Sequence, residues 1–187
     1  QNTKLSSVKK VIILLLTVLT SFQVWGNVLY VKSGSTGNGI SWNQAFGNLQ
    51  DALAAAHPGD QIWVAKGTYL PTQNNDRQQA FIIPDNVRLL GGFRGNETAP
   101  DQRDWRANPT ILSGAIGDPL DHNDNSYTVV YTRGVSSSTL IDGFIIAYGN
   151  ANRPQKHGHP YSSGGGWYND ARDGQESSPT ILNCLFM

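Results

Sequence analysis

The sequence predicts an all-β fold in which short strands repeat as a solenoid, on three observations. The first is a recurring phrase. Thr110-Ile111-Leu112-Ser113-Gly114 returns as Thr139-Leu140-Ile141-Asp142-Gly143 and as Thr180-Ile181-Leu182-Asn183-Cys184, with Arg88-Leu89-Leu90-Gly91-Gly92 as a weaker relative. Each copy is a short aliphatic run that meets a small polar residue or glycine, which reads as a strand ending in a bend. The copies lie 22 (88 to 110), 29 (110 to 139) and 41 (139 to 180) residues apart, a repeat with growing insertions. The second observation is composition. Charged residues make up only 15% of the chain while glycine occurs 20 times, a balance that suits turn-rich β-structure. The third is that Cys184 is the single cysteine, so core burial and backbone ladders rather than an intrachain disulfide must hold the fold.

The elements follow in order. Lys4, Lys9 and Lys10 precede an apolar run, Val11 to Leu19, that is too short to span a bilayer. With Val24-Trp25-Gly26 as a cleavage site, residues 1–26 read as a secretory signal and 27–187 as one domain. An uncleaved N-terminal anchor is the alternative. The chain starts at Gln1 and stops in mid-pattern at Phe186-Met187, which suggests a piece of a longer reading frame. Val28 to Val31 reads as the first strand. Asn48 as N-cap, Asp51 three residues on, and Leu49, Ala52, Leu53 and Ala56 at helical spacing predict one helix, stopped by His57-Pro58-Gly59-Asp60. Gln61–Ala65, Phe81–Ile83, Val87–Leu90 and Tyr127–Thr132 read as further strands, and Asn150 to Ser163 as an unpatterned insertion.

Three stretches carry a family resemblance: SWNQAFGNLQDALAAAHPGDQIWVAKGTYLPT (41–72), STLIDGFIIAYGNA (138–151), and GGGWYND (164–170) with SSPTILNCLF (177–186). They resemble right-handed parallel β-helix proteins of the pectin-lyase-like superfamily. The likeness is to the exported, surface-associated repeat proteins of Bacteroidetes-type bacteria and planctomycetes, with chlamydial polymorphic outer-membrane proteins as distant relatives. The resemblance implies a right-handed parallel β-helix with a short N-terminal capping helix, truncated on its C-terminal side. In such a coil Leu112, Ile141 and Leu182 are expected to stack inward, with Cys184, Phe186, Phe144 and Ile146 on the same side. It also implies export to the cell surface or the extracellular space.

Function is less marked. A formal net charge of zero without a basic block excludes the electrostatic footprint of nucleic-acid binding. No membrane-spanning segment is expected in 27–187, and no cofactor. Asp118, Asp121 and Asp124, with Asn123 and Asn125, offer oxygen ligands but lack the spacing of a calcium loop, so a solvated turn is the simpler reading. His157 and His159 lack partners for a metal site. Asn96-Glu97-Thr98 fits a glycosylation sequon and also a plain turn. Trp42, Trp63 and Trp105 read as core or cap aromatics. Asp142 and Asp170 stand isolated, and Arg133, Lys156 and Arg172 form no recognisable motif with them, so no catalytic residue is assigned. The expected site is a glycan-binding patch beside the insertion: Tyr161, Trp167 and Tyr168 as aromatic faces, with Asn169 and Asp170 as hydrogen-bonding partners. The expected function is a binding or adhesion scaffold for polysaccharide or cell-surface glycans. The alternative is a polysaccharide lyase or glycoside hydrolase whose catalytic coils lie outside this sequence.

Overall fold

The computed structural model describes residues 26–154 and 158–187; the expected signal, except its last residue, and His157 lie outside them. Among the described residues, twelve short strands form three parallel sheets. The five-stranded sheet holds β1 (Val28–Val31), β2 (Gln61–Ala65), β5 (Arg88–Phe93), β8 (Leu140–Asp142) and β11 (Thr180–Leu182). The four-stranded sheet holds β3 (Gly67–Tyr69), β6 (Thr110–Ser113), β9 (Ile145–Ala147) and β12 (Leu185–Phe186). The three-stranded sheet holds β4 (Phe81–Ile82), β7 (Val130–Arg133) and β10 (Trp167–Asp170). From β2 onward, successive strands enter the five-, four- and three-stranded sheets in rotation.

This arrangement corrects the expected fold class. The molecule is mixed α/β, with three discrete sheets of unequal strand number; a closed all-β solenoid is not shown, and neither is a right-handed β-helix. The physical reason is that the repeated phrase encodes a strand followed by a tight exit. That is a local property, and it says nothing of how sheets close. The first copy, Thr110–Gly114, lies in the four-stranded sheet, whereas the copies at 139 and 180 pair within the five-stranded one.

Register decides which residues face inward. In the five-stranded sheet Ile62, Leu89, Ile141 and Ile181 are in line, and Leu182 pairs with Asp142 on the opposite side. Ile181, not Leu182, therefore holds the inner position in β11, one residue out of phase with the expected stack. Leu112 is buried as expected but aligns with Tyr69 and Ile146, and Phe186 follows Ile146. Phe144 and Ile146 are buried, and half-buried Cys184 packs on the same cluster. This core draws Ile62, Leu89 and Ile141 from one sheet, Tyr69, Leu112 and Ile146 from the second, and Phe81, Ile83 and Val130 around the third. Tyr69 is tolerated there because its hydroxyl donates to the Ala65 carbonyl at 2.9 Å; burial pushes its phenol up to about 12.

Helix α1 (Leu49–Ala55) closes one side of this core with Leu49, Ala52 and Leu53. Asn48 caps it, its side-chain oxygen accepting from the Asp51 amide at 2.9 Å while its amide nitrogen reaches the Asp51 carboxylate at 2.6 Å. A helix this short is stable only because that apolar face is packed.

A second cluster lies on the outer face of the five-stranded sheet, where Trp63, Leu90 and Phe93 are buried against Tyr30 and Trp42. Trp63 and Phe93 stack at 4.8 Å, and the Trp42 indole donates to the Glu97 carbonyl at 2.9 Å. Trp42 and Trp63 are thus spent on packing. Gly92 lets the chain double back here: its φ is 90°, and a Cβ would sit 2.5 Å from the Trp105 Cα. Among the described residues no helix is long and apolar enough to cross a membrane.

Ile141 and Ile181 occupy one ladder, but Ile141 is fully buried and Ile181 is 42% exposed. Replacing Ile141 by alanine should lower the unfolding free energy by about 2–5 kcal/mol. Ile181→Ala should change it by less than about 1 kcal/mol. Urea titration of both variants checks the register, and equal losses would contradict it.

Candidate functional site

The outer face of the three-stranded sheet gathers aromatic, charged and amide side chains. Parallel register places Ile82, Tyr131 and Tyr168 in one outward column. The Tyr131 and Tyr168 rings are 6.0 Å apart and nearly parallel, at 9°, and the Arg172 guanidinium lies 5.7 Å from the Tyr168 ring. The column is fixed by a neighbour on the same face. The Asp170 carboxylate is fully enclosed, accepting the Tyr131 hydroxyl at 2.7 Å and two Arg172 bonds at 2.9 and 2.8 Å. The Arg172 hydrogen bonds, aided by the Tyr131 hydroxyl, hold Asp170 well below the usual carboxylate range, while burial and then the Asp170 carboxylate raise the Tyr131 phenol. The Tyr168 hydroxyl donates to the Gly158 carbonyl, tying the insertion to the column.

Beside the column, the insertion folds back over β7. Thr128 donates to the Pro160 carbonyl at 2.6 Å, which sets Tyr161 against Tyr127 with ring centres 5.1 Å apart. Arg153 lies over Tyr161 at 5.5 Å and Arg77 over Tyr127 at 4.1 Å. Arg77 is also a strap, donating to the Asn125 carbonyl at 2.6 Å and to the Asn152 side chain at 2.7 Å. Between these parts opens a cavity of about 240 Å³, walled by Tyr131, Tyr161 and Ile82 and edged by Gln78, Gln79 and Thr128. Aromatic and aliphatic walls with amide and hydroxyl groups at the rim suit a small polar ligand that carries apolar faces.

The five residues expected at this site divide. Tyr161, Tyr168 and Asp170 belong to the outer face. Trp167 packs on the core and its indole donates to Thr132 at 2.8 Å. Asn169 shares the side of Trp167, accepting from Thr132 at 2.8 Å and donating to the Ser177 carbonyl at 2.8 Å. Tyr131, Ile82, Gln78 and Gln79 were not singled out in the sequence. The alternation of Val130, Tyr131, Thr132 and Arg133 is the signal that turns Tyr131 outward; its alignment with Ile82 and Tyr168 is a long-range register that no local pattern carries.

The remaining candidates have local roles. Asp118 and Asp121 accept from backbone amides two residues on, and Asp124 accepts from the Asp118 amide. Among the described residues no group of three or more His, Cys, Asp or Glu side chains could hold a metal ion. His159 accepts from the Tyr161 amide at 3.2 Å. The Glu97 carboxylate gathers the amides of Arg94, Gly95 and Asn96 into a turn, leaving Asn96 exposed. Trp105 is half-buried with Arg106 over its ring. Asp142 is buried in the five-stranded sheet, bonded to Arg103 and to the Asn183 amide at 2.8 Å. It therefore sits on a different sheet from Asp170, and each carboxylate is held by an arginine. Asp170, held below the usual carboxylate range by its Arg172 and Tyr131 bonds, is a poor proton donor near neutral pH.

Comparison with protein-family models, with curated proteins and with solved structures finds no match to this chain.

Tyr131→Phe removes one donor from the enclosed Asp170 and should cost about 1.5–3 kcal/mol at pH 7. Because the folded carboxyl is depressed, the folded state binds fewer protons than the unfolded one below the ordinary aspartate value of about 3.9. The stability that Asp170 supplies is therefore present above that value and lost as pH falls through the folded one. The gap between Tyr131→Phe and the parent should narrow in acid, which urea titrations at pH 7 and below pH 4 would reveal; a gap independent of pH would contradict it.

Proposed function

We propose that this protein is an exported binding scaffold that takes glycans on the outer face of the three-stranded sheet. The observation that carries the reading is the cavity between Tyr131 and Tyr161, with Gln78, Gln79 and Thr128 at its edge. Sugar rings offer apolar C–H faces to aromatic rings and hydroxyls to amide and hydroxyl partners, and both kinds of group converge here. Tyr168 and Asp170 act by fixing the Tyr131 ring, and Tyr161 supplies the opposite wall. Trp167 and Asn169 support the strand from the core side. The lowered carboxyl of Asp170 favours recognition over acid–base chemistry.

Export rests on the basic and apolar pattern of residues 1–26. One contact supports processing at Asn27. The Asn27 amide donates to Asp60 at 2.7 Å, and Asp60 is only 3% exposed. Cleavage before Asn27 would turn that amide into an ammonium group beside a buried carboxylate, a stronger, charge-assisted bond.

Two measurements test these readings. On a glycan array, Tyr161→Ala should lower binding about tenfold or more at an unchanged melting temperature, as for a side chain central to a contact. Trp167→Ala should instead lose about 3–5 kcal/mol of stability. No glycan binding by the parent, or full binding by Tyr161→Ala, would remove this site. For export, expression in a Gram-negative host should give a processed protein that begins at or within a residue or two of Asn27. A cytoplasmic product retaining Lys4 to Leu19 would remove the export reading.

A further inference from the structure

The outer face of the four-stranded sheet holds a feature that the glycan reading does not use. Ile111, Ile145 and Leu185 are in register there, and the loop after Gly92 overhangs them. Ile145 and Leu185 of this column, with Trp105, Arg106, Pro109, Phe144 and Asn183, line a second cavity of about 240 Å³. The Arg106 guanidinium lies 4.5 Å from the Trp105 ring, and among the described residues it forms no salt bridge with a carboxylate. A mostly apolar hole lined in part by a cation without a salt bridge suits an aliphatic side chain flanked by negative charge.

The same chain displays such a group. Leu120 is 91% exposed, the most exposed large hydrophobic side chain among the described residues. It stands between Asp118 and Asp121, both exposed and neither in a salt bridge among the described residues. Asp118 accepts from the Leu120 amide at 2.9 Å and Asp121 from the Asn123 amide at 2.8 Å, so the loop presents Leu120 in a defined turn. We propose that Leu120 of one copy enters the Trp105–Leu185 cavity of a second copy, with Asp118 or Asp121 meeting Arg106. Knob and hole are different surfaces, so the contact is head-to-tail: a dimer keeps one free knob on one copy and one free hole on the other, and association continues beyond the dimer unless it closes into a ring. The contact is small and partly electrostatic, which makes it weak and sensitive to salt.

Sedimentation or light scattering of the purified protein over a range of concentrations tests this. The parent's weight-average mass should rise with concentration and fall back in about 1 M salt, where the screening length is about 3 Å. Leu120→Ser removes the knob and Arg106→Glu reverses the charge at the hole. Each variant, folded by circular dichroism, should associate about tenfold or more weakly than the parent. Mixed in equal amounts they retain one intact knob and one intact hole, and should form dimers and nothing larger. A parent mass independent of concentration, variants that associate like the parent, or a mixture that stays monomeric would each overturn the proposal.

Discussion

The line Ile62–Leu89–Ile141 is the constraint on which the rest of the structure depends. In a parallel sheet a residue and its partner in the next strand point the same way, so a single inward isoleucine fixes the direction of every side chain above and below it. The same rule turns Phe81, Val130 and Trp167 inward in the three-stranded sheet, and therefore turns Ile82, Tyr131 and Tyr168 out. The candidate binding face is in this sense a by-product of core packing. Its rings hold their spacing because the strands beneath them cannot slip without exposing the core.

Charge follows the same economy. The chain carries few ionised groups, and the most enclosed carboxylates each have several partners. Asp142 is met by Arg103 and Asn183, Asp170 by Arg172 and Tyr131, and Asp60 by the amides of Asn27 and His57. Each joins segments distant in sequence, apart from the local Arg172 and His57 contacts. Removing one partner from such a group leaves a charge that neither water nor protein satisfies, so these pairs specify which loops meet more than they add net stability.

Much of the local structure was legible in the sequence. Asn48, Leu49, Ala52 and Leu53 announce the helix through a capping residue and a period, and both are interactions between near neighbours. The strands at 61–65 and 140–142 are visible as aliphatic runs that end at glycine or a small polar residue. The phase of the last repeat was not legible. Thr180-Ile181-Leu182 matches Thr139-Leu140-Ile141 letter for letter in type, yet the ladder pairs Thr180 with Leu140. The one-residue slip comes from tertiary pairing. The closure of the sheets was misread for a related reason, since a strand-and-bend phrase serves four- and five-stranded sheets equally. At the candidate face, aromatic residues near the insertion were visible, but their sides were not. Trp167 and Tyr168 are neighbours in the chain and point to opposite faces.

The rotation of strands among three sheets also bears on how the chain reaches this state. Gln61 pairs with Arg88, and Arg88 in turn with Leu140, so each ladder closes only after the chain has travelled through the other two sheets. Pairings of that kind close long loops before any contact offsets the lost chain entropy, which makes folding slow and leaves strand edges open meanwhile. Helix α1 is the exception. It forms between β1 and β2 from local signals and offers Leu49 and Leu53 as an apolar surface at the start of the chain. Assembly that starts from this helix end would give each later strand a template already in place.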